Sequence, residues 1–88
     1  MITGWLMFRE QYPEQARQVK DLGSELYELG AEGAQKDERL DQLQALIREL
    51  PQDALKRIEL TQQSSREEIL TVVFKLGAQL IYQLEREG

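Results

Sequence analysis

Four carboxylates arranged as two couplets are the residues of this chain whose types and spacing could do chemistry. Glu25 and Glu28 stand three apart, as do Glu38 and Asp41, and side chains three apart share one face of a helix. Two such couplets facing each other across a helical hairpin could hold Mg²⁺, a hard cation that takes oxygen ligands and is shared with substrate phosphate. A glycine-bearing stretch, 30–35, joins the two segments and supplies the turn of such a hairpin. Other chemistries lack their residues. The 88 residues include no histidine and no cysteine, which removes the commonest general base, the commonest transition-metal ligand and every thiolate or disulfide. No Gly-rich phosphate loop, nucleophile elbow or other metal-ligand cluster is written in the sequence, and no cofactor is expected.

The order of the couplets, E-x-x-E and then E-x-x-D, resembles that of the all-helical nucleotide pyrophosphohydrolases over these four residues. That resemblance implies a Mg²⁺-dependent hydrolase working through Glu25, Glu28, Glu38 and Asp41. Against it stands a plainer reading. Helices of an acidic, water-facing hairpin carry Glu and Asp on their outer faces, and four-residue patterns recur by chance. The plainer reading is adopted here, with no catalytic, cofactor-binding or metal-ligating residue assigned and the hydrolase kept as the alternative.

A second alternative is a small helix-turn-helix transcription regulator. Its first helix would be 54–60, its turn 61–65 and its reading helix would begin at Arg66. A reading helix needs polar and basic side chains at its start to reach base edges and phosphates. Here Arg66 is followed by two carboxylates, Glu67 and Glu68, and then by a solid apolar run. A helix required as core cannot also lie in a groove of DNA.

The charge balance points the same way. Sixteen acidic residues against eleven basic ones give a net charge of −5, and no segment of the chain is basic. The electrostatic footprint of a nucleic-acid or anionic-membrane binder is missing. Residues 1–8 lack a basic leader region and a small-residue cleavage site, and the apolar run 69–84 carries Lys75 near its middle and is shorter than the ~20 residues a membrane span needs. The expectation is a cytoplasmic protein with neither nucleic-acid nor membrane partners.

Positioning any of these groups falls to helices. A seam with spacings of three and four runs Trp5, Phe8, Tyr12, Gln15, Val19, Leu22, Leu26, Leu29, a heptad-like register. Pro13 lies inside it and either kinks a helix or opens a new one at its first turn. Leu29-Gly30 reads as a helix end with a glycine cap. A second helix is expected over 37–50, with Leu40, Leu43, Ile47 and Leu50 on one face and Pro51 as its stop. A short helix is expected over 52–62, then a connector at 61–63. Ser64 and Ser65 both fit a capping box for the last helix, with Glu67 or Glu68 as the reciprocal acid. The expected fold is all-α: a single domain, 1–88, of three or four helices, completed by homo-oligomerisation.

The last helix carries that final clause. Between 69 and 84 only Thr71, Lys75, Gly77, Gln79 and Gln83 interrupt the apolar residues. At 100° per residue the four polar ones form a stripe of roughly 120°, leaving an apolar arc of about 240°. The apolar stripe of an ordinary surface helix is nearer 100°, so this helix needs cover on two or three sides. A chain of 88 residues has a modest core with which to supply it. A second copy is therefore expected as cover, with interface candidates Trp5, Phe8, Tyr12, Phe74, Gly77, Ile81 and Tyr82. The aromatic stripe Trp5, Phe8 and Tyr12 is either an anchor for a partner or the closure of the bundle's own core. Gly77, mid-helix, is either a point of close helix approach or a tolerated defect. The resulting expectation is a non-enzymatic helical interaction protein, an adaptor or regulator acting as a homodimer on a further protein partner.

Overall fold

The computed structural model describes the backbone of residues 2–87 and the side chains of residues 3–78. Within them the chain forms five helices and no strand: α1 (Ile2–Gln11), α2 (Pro13–Gln35), α3 (Glu38–Glu49), α4 (Gln52–Arg57) and α5 (Arg66–Glu87). None is long and apolar enough to cross a membrane among the described residues. The all-α expectation holds, with five helices where three or four were expected.

The division between α1 and α2 comes from Pro13. Its ring cannot continue α1, and its fixed φ suits the first position of a new helix; Tyr12 is the junction, at φ −133°. The Tyr12 N–H still donates to the Phe8 carbonyl at 2.8 Å and the Ala16 N–H to the Tyr12 carbonyl at 2.8 Å. Gly30 interrupts α2 where a helix end was expected, and two helical stretches meet there across a kink. It adopts φ 82°, ψ 165°, a conformation open to glycine, and breaks the helix there. Helical turns resume beyond it because Ala34 is fully buried and holds the next turn to the core.

The boundaries of α3 follow its caps. Asp37 is extended and its carboxylate accepts the Arg39 N–H at 2.9 Å, while Leu50 closes the helix before Pro51. Helix α4 is shorter than expected and stops at Arg57. The Leu60 N–H donates to the Leu55 carbonyl and the Glu59 N–H to the Lys56 carbonyl, at 3.0 and 3.2 Å. This is a Schellman end, with Glu59 in the left-handed position at φ 60° and buried Leu55 and Leu60 as its apolar contact. The connector after it is tied down: Gln62 Nε2 donates to the Leu50 carbonyl at 2.9 Å, and Ser64 Oγ accepts the Thr61 N–H at 2.9 Å. Of the two candidate caps, Ser65 opens α5. Its Oγ accepts the Glu68 N–H at 3.2 Å while a Glu68 carboxylate oxygen accepts the Ser65 N–H at 3.4 Å.

Helix α2 is the hub, packing on α1, α3 and α5, while α4 packs against α1. The core draws on every helix: Trp5 and Phe8 from α1, Val19 and Leu26 from α2, Leu40, Leu43 and Ile47 from α3, Leu55 from α4, Ile69, Leu70 and Leu76 from α5.

Candidate functional site

The carboxylate couplets do not come together. Among the described residues no group of three or more acidic side chains is placed to hold a metal ion. Glu25 is taken by Arg39, whose Nε lies 2.9 Å from its carboxylate, and Arg39 also reaches Asp37 at 3.5 Å. Asp41 pairs with Arg66. Glu38 is exposed, and Glu28 sits on a different part of the surface, at the edge of the groove described below. Two arginines thus engage the acids separately: Arg39 links Glu25 to α3, and Arg66 links Asp41 to the start of α5. The melting temperature is accordingly expected to be the same in EDTA and in millimolar Mg²⁺, because a cation without a folded-state site adds no linkage stabilisation. A rise of several degrees in Mg²⁺, lost in a Glu28→Gln, Asp41→Asn double variant, is the contrary result.

The start of α5 is also engaged inward. Arg66 pairs with Asp41 and its Nη2 donates to the Gln35 carbonyl at 2.6 Å, tying the helix start to the turn between α2 and α3. Ile69 and Leu70 behind it are buried. The one basic side chain that a reading helix would use is spent on the protein's own packing.

The aromatic stripe lies mostly inside the chain. Trp5 and Phe8 are buried, at 2% and 0% exposure, with ring centroids 5.7 Å apart and planes tilted by 59°. Tyr12 continues the stack at 6.0 Å from Phe8 and is half-buried. Phe74 is half-buried against Tyr27, centroids 5.4 Å apart. Gly77 lies under the same tyrosine: a Cβ placed there would stand 2.7 Å from its Cδ2 and 3.2 Å from its Cγ. Its missing side chain is therefore filled by an intramolecular ring. Ile81 and Tyr82 lie outside the residues whose side chains are described, as do Gln79, Leu80, Gln83 and Leu84.

The feature that residue spacing did not single out is an apolar groove of about 520 Å³ between α2 and α5. Its floor is core: Trp5, Leu43, Ile47, Ile58, Leu60 and Ile69. Half-buried Tyr27, Val72 and Val73 form its walls, and exposed Lys20, Ser24 and Glu28 line one edge. The volume falls within the roughly 300–1,000 Å³ of ordinary binding pockets. Two sequence signals bear on it in hindsight: the over-wide apolar arc of α5, and the i, i+4, i+8 spacing of Lys20, Ser24 and Glu28, which sets them in a row along α2.

No protein-family model matches this chain, and no curated protein or solved structure is significantly similar to it.

Proposed function

We propose that this protein is a non-enzymatic, homodimeric helical interaction module, an adaptor or regulator that works by binding another protein. One observation carries the reading: among the described residues the cover on α5 is incomplete. Ile69, Leu70 and Leu76 are buried, whereas Val72 and Val73 in the groove wall and Phe74, packed on the wall residue Tyr27, stay half-buried. Contiguous apolar surface of this kind on a small soluble domain marks an interaction site. Phe74 and Gly77 remain the interface candidates at its border, with Trp5 as part of its floor. A domain of 1–88 whose core is completed by a second copy gains stability by mass action. Its melting temperature is therefore expected to rise by several degrees between low-micromolar and several-hundred-micromolar protein. A melting temperature independent of concentration over that range contradicts the proposal.

A further inference from the structure

The edge of the groove has a charge order that reads the same from either end with the signs exchanged. Lys20, Ser24 and Glu28 are exposed and lie in one row on α2. At 1.5 Å rise per residue the lysine and the glutamate are about 12 Å apart with the serine midway. Neither charged group joins an ion pair among the described residues, in contrast to Glu25 and Asp41. A two-fold axis through Ser24, perpendicular to α2, carries Lys20 onto Glu28 and Glu28 onto Lys20. In a two-fold interface each contact occurs twice, residue i on j and j on i. An antiparallel copy of α2 therefore sets Lys20 against the partner's Glu28 and Glu28 against the partner's Lys20. Along the helix axis Asp21 falls level with the partner's Tyr27 and Arg17 with the partner's Ala31; Asp21, seven residues before Glu28 and on the same side of α2, also borders the partner's Glu28. A parallel arrangement instead opposes lysine to lysine and glutamate to glutamate.

From this we infer that the occupant of the α2–α5 groove face is a second copy of this chain, docked antiparallel along α2 about a two-fold axis at Ser24. The inference rests on the dimer reading above and adds its surface and register. The apolar walls, Tyr27, Val72 and Val73, supply the burial that drives association. The Lys20–Glu28 pairs select the antiparallel register, the contribution expected of charges at an interface edge. Ser24, at the centre of the row, is small enough not to hold the two helices apart.

Two variants test this register. The chain contains no cysteine, so S24C carries the molecule's sole thiol, directly on the proposed axis. Disulfides require Cα atoms within about 7 Å. Under mild oxidation S24C is expected to cross-link almost completely into a covalent dimer. D53C, on the exposed face of α4, is expected to stay a single chain on the same non-reducing gel. K20E turns both pairs repulsive at once and is expected to raise the dissociation constant about tenfold or more. K20E/E28K, which restores opposite charges in exchanged positions, is expected to return it to within a few-fold of wild type. A wild-type dimer in sedimentation whose S24C variant does not cross-link, or whose K20E variant dimerises as tightly as wild type, overturns the proposed register and leaves the dimer standing. A wild-type monomer overturns both.

Discussion

Truncating Phe8 to alanine is expected to lower the free energy of unfolding by about 3–5 kcal/mol, the range for emptying an aromatic site in a well-packed core. Phe8 is fully buried and sits between Trp5 and Tyr12, at 5.7 and 6.0 Å between centroids along the stack. The loss combines the transfer free energy of the ring with the cavity left among rigid neighbours. Against a total stability of about 5–15 kcal/mol, it brings the variant close to unfolding at physiological temperature. Leu29→Ala is the matched control. Leu29 is 44% exposed although it lies on the same sequence seam, and its truncation is expected to cost under about 1 kcal/mol. Chemical denaturation of the two variants at equal protein concentration separates them. Equal losses contradict the placement of α1 in the core.

Gly4→Ala and Gly23→Ala are expected to act in opposite directions although the chemical change is identical. At Gly4 a Cβ would overlap the Arg57 carbonyl oxygen, a backbone atom at the end of α4. That atom cannot rotate away, so α1 must lift from α4. A loss of about 1–3 kcal/mol, the range for overpacking, is expected. At Gly23 the added methyl would meet Val73 Cγ2 at 3.9 Å, an ordinary van der Waals contact on the groove side. There the helix-propensity gain of alanine over glycine dominates, and a stabilisation of about 0.5–1 kcal/mol is expected. Thermal melts of the two variants give the signs directly. A stabilised Gly4→Ala would show that α1 does not rest on α4 as described.

Much of the fold is legible in the sequence because its punctuation is chemical. Asp37 and Pro51 bracket α3, Ser65 and Glu68 open α5, and Pro13 can only start or distort a helix. What stays hidden depends on tertiary contacts. The seam from Trp5 to Leu29 looks continuous, yet the break at Tyr12–Pro13 resets its phase. Beyond that, a spacing of seven drifts by about 20° per repeat on a helix of 3.6 residues per turn, which carries Leu29 off the core. Gly30 reads as a stop and does interrupt the helix, whereas only the burial of Ala34 shows that helical turns resume beyond it. The short α4 ends because Glu59 takes a left-handed turn that brings Leu60 back onto Leu55, a conformation that glutamate does not advertise.

The site was less legible than the fold. The couplet pattern of Glu25, Glu28, Glu38 and Asp41 is visible in one dimension, whereas the pairing that dissolves it comes from Arg39, between the acids of the second couplet, and from Arg66 at the start of α5. Gly77 signals a close approach, but nothing in the sequence names Tyr27 as the ring that fills it. The groove needs four helices and the segment after α4 to form, so its existence follows from their packing and not from any local pattern.

Sedimentation equilibrium at micromolar concentration shows whether this chain completes its core as a dimer, as proposed. The expected mass is at least twice 10.3 kDa, falling towards the single-chain value only on dilution. A mass of 10.3 kDa that persists to several hundred micromolar would contradict it.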